Sequence, residues 1–300
     1  MTKVFCLVEE RFVNPLFEVF DGGDFVLSSW RDIEAPRAEM RIFVPDPVQV
    51  EAAGEALRSA LGIVGIEAEI RSEEIRDEDW KFAYRRHFKT EAIGRRLLVV
   101  PTWEDGTASV AAQLGEGKSR REKIVLDPGM AFGTGKHETT KACLQYIDEL
   151  ASVLVPDSPS PDSRPSFLDM GCGSGILSIA AAKLGYGPVA GFDVDQEAVD
   201  ASIENAELNG VKIDFFKFAL GRAGSEPPTQ ACDLVVANIL GPLLIRFADE
   251  IVPYVKRHVI LSGILTELYP DVLATYEAHG LREVGRKTLG EWTTGLLERT

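Results

Sequence analysis

The spacing of hydrophobic and polar residues predicts a small mixed domain at the amino-terminal end of the chain. Apolar positions recur at helical spacing over residues 48–61. Short apolar runs predict strands over residues 4–9, 25–30, 39–44 and 67–75. A short helix over residues 15–20, ended by the turn Asp21-Gly22-Gly23, would complete a βαββαβ order. We therefore expect residues 1–75 to form an α+β domain.

The rest of the chain alternates between predicted strands and predicted helices. The strands cover residues 96–103, 123–127, 166–170, 189–193, 212–218, 233–237 and 258–262, with a turn and loop over 111–122. The helices cover residues 137–154, 176–184, 197–208, 242–256 and 265–279. Such alternation is typical of a mainly parallel sheet with helices on both faces. Two last strand-like runs, 281–288 and 292–299, flank Leu289-Gly290-Glu291 and predict an antiparallel hairpin.

A segment between these regions, residues 76–95, is dense in charged and aromatic side chains, among them Trp80, Tyr84 and Phe88. This composition favours an amphipathic helix that connects two domains. The predicted organisation is a first domain over residues 1–75, a linker helix over 76–95 and an α/β domain over 96–300.

Composition restricts the class of protein. With 300 residues, of which 45% are hydrophobic, the chain can form two cores. It has no apolar stretch that could cross a bilayer core of about 30 Å and no signal-peptide pattern, so we expect a cytoplasmic protein with no membrane partner. The four cysteines form no CxxC pair and the four histidines no cluster, which argues against a metal site.

The formal net charge of −15 bears on possible partners. Direct nucleic-acid binding is disfavoured, because that binding depends on lysine and arginine side chains that neutralise phosphates. An acidic surface could steer a basic protein towards the chain. Many soluble proteins are acidic, however, so the charge alone selects no partner.

Residues 167–175 (FLDMGCGSG) are the most informative motif. An apolar strand leads into a turn with glycine at alternate positions, Gly171, Gly173 and Gly175, and a helix follows. Glycine there lets the backbone approach a ligand closely. Asp193 ends the next predicted strand, where a carboxylate can accept hydrogen bonds from both hydroxyls of a ribose. The combination predicts a nucleoside-binding site.

A nicotinamide dinucleotide enzyme would use a similar turn, so two interpretations compete. The dinucleotide fingerprint is GxGxxG, whereas this chain has GxGxG and places Ile176 where the third glycine would be. Asp169, two residues before the turn, would repel a pyrophosphate but can bind the ammonium group of S-adenosylmethionine directly or through water. Methyl transfer is therefore favoured. A NAD-binding oxidoreductase and a non-catalytic binding module remain as alternatives.

Two further motifs flank this turn. Residues 126–140 (LDPGMAFGTGKHETT) form a glycine-rich loop that could close over the cofactor, with Phe132 as an apolar wall and a threonine hydroxyl at the start of the following helix binding its carboxylate. Alternatively, Thr139 or Thr140 only caps that helix. Residues 235–242 (VVANILGP) bring Asn238 to a strand end, where its amide could orient a substrate amine or the cofactor, or could simply occupy a turn.

These motifs together resemble the ribosomal protein L11 methyltransferase family, also called PrmA. The resemblance extends over nearly the whole chain and is most specific in the AFGTGxHxTT loop and in the tripeptide Asn238-Ile239-Leu240. It implies a ferredoxin-like amino-terminal domain that recognises the substrate protein, a linker helix, and a Rossmann-like class I methyltransferase domain.

The resemblance also implies an activity and a site. The family transfers methyl groups from S-adenosylmethionine to lysine ε-amino groups, the amino-terminal α-amino group, or both, of the basic ribosomal protein L11. The expected cofactor contacts are Thr140, Gly171, Asp193 and Asn238. A class I methyltransferase that acts on another protein or on a small molecule remains an alternative.

Overall fold

The computed structural model describes residues 1–20, 22–31, 37–74, 88–117, 120–126, 137–156, 163–221 and 229–300. The chain divides into two compact units, Met1–His87 and Phe88–Thr300. The prediction placed the boundaries at residues 75 and 95. Most of the expected linker helix, residues 76–87, lies outside the described residues. In its last part Glu91–Ile93 form a strand, because Ile93 is buried and Gly94 turns the chain at φ +60°.

The first unit has the predicted βαββαβ order: β1 (Thr2–Glu9), α1 (Val13–Val19), β2 (Leu27–Arg31), β3 (Arg37–Val44), α2 (Val50–Val64) and β4 (Arg71–Glu74). The antiparallel strands are ordered β2-β3-β1-β4, which is the ferredoxin-like arrangement. Alternate residues of β1, such as Val4 and Cys6, face a core that includes Leu57 of α2. The alternating apolar residues of the strands and the apolar faces of the helices therefore pack together in one core.

The second unit begins with a three-stranded sheet. It contains β5 (Glu91–Ile93), β6 (Leu97–Pro101) and β7 (Glu122–Leu126), with α3 (Ala108–Leu114) between β6 and β7. The sequence predicted only a turn and loop over residues 111–122, which is wrong for this helix. Its signals were Thr107, whose hydroxyl accepts from Val110 N–H at its start, and the single buried residue Val110.

The main sheet has seven strands: β8 (Phe167–Met170), β9 (Val189–Asp193), β10 (Asp214–Lys217), β11 (Cys232–Asn238), β12 (Val255–Leu265), β13 (Leu281–Leu289) and β14 (Trp292–Arg299). Their order is β10-β9-β8-β11-β12-β14-β13, with β8 to β12 parallel and β14 antiparallel to both of its neighbours. The predicted Rossmann-like sheet with a carboxyl-terminal antiparallel hairpin is confirmed.

Helices cover both faces of this sheet. They are α4 (Glu138–Leu154), α5 (Ile176–Lys183), α6 (Gln196–Leu208), α7 (Gly241–Arg246), α8 (Ala248–Ile251) and α9 (Tyr269–Ala278). The single helix predicted over residues 242–256 is wrong. Phe247 leaves helical geometry at φ −106° and ψ 17°, and Pro253 has no N–H with which to continue a helix, so Val255 already begins β12.

Asp148 of α4 holds the β5–β6 turn in place. Its Oδ2 accepts from Arg95 N–H at 2.6 Å, and its Oδ1 accepts from Arg96 Nε at 2.7 Å, with the Asp148 side chain almost fully buried. A Cβ at Gly94 would collide with this carboxylate, so only glycine fits the turn. The small sheet and the main sheet consequently share one apolar core, which includes Ile93, Ile147 and Phe167.

Asn209, at the end of α6, closes the free edge of β7. Its Oδ1 accepts from Val125 N–H at 2.8 Å, and its Nδ2 donates to Val125 O at 2.6 Å. We expect Asn209→Ala to lower the free energy of unfolding by about 1–3 kcal/mol, because two hydrogen bonds are lost and each contributes roughly 0.5–1.5 kcal/mol. Urea unfolding measures this change. Glu207→Ala, at an exposed position of the same helix, is the matched control, and equal stabilities of the two variants would contradict the prediction.

Candidate active site

A cavity of about 390 Å³ lies at the carboxyl ends of β8, β9 and β11. This volume falls within the range of roughly 300–1,000 Å³ that is usual for small-molecule sites. Strand order reverses here, since β9 lies on one side of β8 and β11 on the other, and ligands of open α/β sheets bind at such a point. Five residues predicted from the sequence line the cavity: Thr140, Gly171, Gly173, Asp193 and Asn238.

The glycine turn that follows β8 forms the floor of the cavity. Gly171 and Gly173 have φ of +80° and +56°, values that side-chain-bearing residues rarely adopt. Gly171 N–H donates to Phe192 O at 2.8 Å, which ties the turn to the end of β9. A Cβ on Gly171 would lie 2.7 Å from Cγ2 of Ile239. Glycine is therefore required both by the backbone conformation and by the chain segment that follows β11.

The Asp193 carboxylate lies at the end of β9 with both oxygens anchored. Its Oδ2 accepts from Gly173 N–H at 3.0 Å, and its Oδ1 accepts from Asp195 N–H at 3.1 Å. A carboxylate offers about four acceptor sites, so acceptor capacity remains on the cavity side. The two backbone bonds fix the orientation of this group, which could accept hydrogen bonds from a pair of vicinal hydroxyls.

Asp169 lies beneath the turn and not among the residues that line the cavity. Its side chain is fully buried, and its Oδ2 accepts from Ser178 Oγ at 2.8 Å. Its Oδ1 has no hydrogen-bond partner within the described part of the chain. Burial raises the pKa of Asp169 to about 7, against the Ser178 hydrogen bonds and with a smaller contribution from the charge of Asp193. A buried acceptor without a donor is costly, and a cation bound above the turn would relieve that cost.

Thr140 and Asn238 are neighbours in the cavity lining. Asn238 Nδ2 lies 3.5 Å from Thr140 Oγ1, at the long limit for a hydrogen bond, and the Thr140 side chain is buried. The cap of α4 is His137, whose Nδ1 accepts from Thr139 N–H at 3.4 Å. Thr140 therefore does not cap the helix. Phe132, predicted as an apolar wall, lies outside the described residues, as does the rest of residues 127–136.

An apolar side of the cavity was not predicted from the sequence. It comprises Phe218 and Leu220, which follow β10, and Phe247, which follows α7. The rings of Phe192 and Phe218 meet edge to face with centroids 5.2 Å apart. The signal available for Phe218 was its place at the end of a predicted strand. For Phe247 there was none, because it reaches the cavity only where the predicted helix breaks.

Cys172 also lines the cavity, and its thiol is a possible nucleophile or metal ligand. Burial raises the pKa of Cys172, which keeps its sulfur protonated. In the regions that the structure describes, no group of three His, Cys, Asp or Glu side chains is arranged to hold a metal ion. The cavity therefore offers hydrogen-bond acceptors and donors together with an apolar side, a combination suited to a nucleoside-containing ligand.

Comparisons with known proteins identify the family. The family model described as Ribosomal protein L11 methyltransferase (PrmA) matches residues 43–300. A relative from Geobacter sulfurreducens, named ribosomal protein L11 methyltransferase, is 40% identical over 221 residues, covering 73% of this chain and 66% of the relative. A relative of the same name from Alkaliphilus metalliredigens is 31% identical over 293 residues, covering 95% of this chain and 86% of the relative.

A solved structure agrees with these sequence matches. The ribosomal protein L11 methylase from Lactobacillus delbrueckii subsp. bulgaricus superposes with a TM-score of 0.56 at 30% identity, covering 71% of this chain and 99% of that one. The match to the Geobacter relative spans slightly less than two thirds of that protein, whereas the family model covers most of the present chain. The chain therefore belongs to the ribosomal protein L11 methyltransferase family.

Proposed function

We propose that the protein transfers methyl groups from S-adenosylmethionine to amino groups of ribosomal protein L11, namely lysine ε-amino groups, the amino-terminal α-amino group, or both. The observation that carries this proposal is the convergence of Asp193, the glycine turn, Thr140 and Asn238 on one cavity in a chain of this family. When bound, S-adenosylmethionine supplies a methyl group on a sulfonium that is already activated for transfer.

Several residues that line the cavity, together with Asp169 beneath the glycine turn, have proposed roles in holding this cofactor. Asp193 accepts hydrogen bonds from the ribose hydroxyls, and the unpartnered Oδ1 of Asp169 accepts from the ammonium group directly or through water. The Thr140 hydroxyl, at the start of α4, donates to the carboxylate, which the helix N-terminus also favours. Phe218 and Phe247 pack against the adenine. Gly171 and Gly173 keep the floor free of side chains.

Asn238 is the residue proposed to orient the target amine. Its carbonyl can accept from the amine while its NH₂ group remains directed at Thr140. Only the unprotonated amine can attack, and lysine in water has a pKa of about 10.4. The apolar residues beside Asn238, such as Ile239 and Leu243, disfavour the charged amine by desolvation. The role of this chain is therefore alignment and removal of water, with no side chain assigned as a general base.

We propose a basic partner protein and a division of roles between the domains. The excess of acidic residues suits a basic ribosomal protein as partner and does not suit direct binding of nucleic acid. We assign substrate recognition to residues 1–75, connection to 76–95 and catalysis to 96–300. No helix in the described ranges combines the length and apolar character needed to cross a membrane.

Mass spectrometry of ribosomal protein L11 incubated with the protein and isotopically labelled S-adenosylmethionine tests this function. We expect labelled methyl groups on lysine or amino-terminal amines of L11, and none when NAD replaces the cofactor. Label on another protein, or on a small molecule from a cell extract, would redirect the substrate assignment. Cofactor binding without any transfer would indicate a non-catalytic module, and binding of NAD alone would indicate an oxidoreductase.

A further inference from the structure

An aromatic pair lies where α4 and β14 begin. The rings of His137 and Trp292 have centroids 5.1 Å apart and an interplanar angle of 65°. His137 precedes Thr140 by three residues and is held by Thr139, whose hydroxyl lies 2.8 Å from its Nδ1. Trp292 begins β14 directly opposite Leu265 of β12. Both side chains of the pair are half-buried, so part of each ring reaches solvent.

Sheet topology fixes this pair relative to the amine-orienting asparagine. Asn238 of β11 pairs with Ser262 of β12. The Ser262 hydroxyl donates to Thr139 O at 3.3 Å and lies 2.6 Å from Thr294 Oγ1 of β14. The cofactor-facing cavity lies above β9, β8 and β11, whereas β12 and β14 lie beyond β11. The aromatic pair therefore flanks Asn238 on the side that is not used for the cofactor.

The surface around the pair carries apolar and acidic side chains. Leu240 is 61% exposed and Leu265 is 40% exposed, at the ends of β11 and β12. Three exposed glutamates lie next to these residues in the chain: Glu138 follows His137, Glu267 follows Leu265 by two positions, and Glu291 precedes Trp292. Thr266 N–H donates to Glu291 O at 2.9 Å, so Glu267 and Glu291 share one edge. We call these seven residues the acidic rim.

This chemistry complements a lysine side chain within a basic segment. An indole face attracts an ammonium ion, by about 0.5–1 kcal/mol at exposed sites and by roughly 2 kcal/mol when desolvated. The aliphatic stem of lysine packs on apolar side chains while its charged end stays polar. Exposed carboxylates such as those of the acidic rim attract basic residues and steer the approach of a basic partner.

We propose that the acidic rim receives the segment of substrate protein that carries the target lysine, and that Trp292 is the positioning residue along which this side chain reaches Asn238. The inference rests on the proposed function and adds to it the place where the substrate binds. His137 holds the indole in position, and the three glutamates bind the basic residues on either side of the target.

Steady-state kinetics with L11 test the role of Trp292. We expect Trp292→Leu to raise KM for L11 about 3- to 30-fold, the range that corresponds to a cation–π contribution. The Kd for S-adenosylmethionine should stay at the wild-type value, which also shows that the variant is folded. Trp292→Phe retains an aromatic face, so its KM for L11 should stay close to the wild-type value. If Trp292 only filled space, the phenylalanine and leucine variants would have similar KM values.

A second comparison tests the glutamates. The triple variant Glu138→Gln, Glu267→Gln and Glu291→Gln should have a higher KM for L11 than wild type. The KM of this variant should also change less with salt concentration. Glu277→Gln is the matched control and should behave as wild type, because Glu277 is exposed at the end of α9, just before β13 begins opposite the last residues of β14.

The outcomes separate the two proposals. Wild-type protein that methylates L11, with Trp292→Leu unchanged in KM, would overturn the inference and leave the proposed function standing. Equal losses in the leucine and phenylalanine variants, or a parallel loss of cofactor affinity, would also overturn it. Wild-type protein that leaves L11 unmodified would overturn the proposed function and the inference together.

Discussion

Replacing Asp193 by alanine is expected to weaken binding of S-adenosylmethionine about 10- to 150-fold. Hydrogen bonds to a charged group contribute roughly 1.5–3 kcal/mol, and each 1.4 kcal/mol corresponds to a factor of ten in affinity. Asp193 is oriented by Gly173 N–H and Asp195 N–H, so its carboxylate is already in place before the ligand arrives. Isothermal titration calorimetry of the variant and of the wild type measures the difference.

Two controls separate loss of ligand contacts from loosening of the glycine turn. Asp193→Asn keeps an acceptor for Gly173 N–H but removes the charge, so it should bind with intermediate affinity. Asp200→Ala, at an exposed position of α6, should bind as wild type. Unchanged affinity in Asp193→Ala would remove this residue from the cofactor site, whatever the outcome of the methylation experiment.

Helices and strands could be predicted from the sequence where apolar residues recur at regular spacing and a polar or turn-forming residue marks the end of the element. Strand β9 was predicted with the bounds Val189–Asp193 that the structure has, because an apolar run ends there at a polar residue. The break at Phe247 could not be predicted, because Phe247 itself is apolar and continues the pattern. Helix α3 has a single buried residue, Val110, and thus almost no periodic signal.

Four of the predicted site residues, Thr140, Gly171, Asp193 and Asn238, lie at or directly after a strand end or at a helix start. The topology of an α/β sheet brings such positions together, so their convergence could be inferred without coordinates. Contacts between residues that are far apart in the sequence could not be inferred in this way. Trp292 reaches His137 across 155 positions of sequence through the pairing of β14 with β12, and the complete burial of Asp169 depends on how α5 packs over β8.

If Asp169 binds the cofactor ammonium as proposed, we expect its burial to make cofactor affinity depend on pH. The pKa of Asp169 in the ligand-free protein is about 7, so the carboxyl is largely protonated at pH 5 and 6. Accepting from a ligand ammonium requires the ionised form, and the bound cation then lowers the pKa of Asp169. Below pH 7 the ligand must displace a proton, and its affinity should fall by up to about tenfold per pH unit.

The stability of the ligand-free protein depends on the ionisation of Asp169 in the opposite direction. The folded-state pKa of Asp169 lies above the value of 3.8 that is usual for an aspartate, so the folded state binds the extra proton. This group's contribution to the free energy of unfolding therefore decreases as pH rises from about 4 to about 7. Asp169→Asn should remove that dependence and be more stable than wild type above pH 7.

Measured affinity for S-adenosylmethionine should accordingly rise on the order of 100-fold between pH 5 and pH 7, then fall as the ligand's own α-amino group, with a pKa of about 7.7–8.0, loses its proton. In Asp169→Asn, the affinity should no longer rise between pH 5 and pH 7 (the acidic limb of the profile), but it should still fall at higher pH. Asp233→Asn is the matched control, because Asp233 also accepts from a serine hydroxyl, Ser166 Oγ at 2.8 Å, but lies at the amino end of β11. An acidic limb that persists in Asp169→Asn would show that another group binds the ammonium.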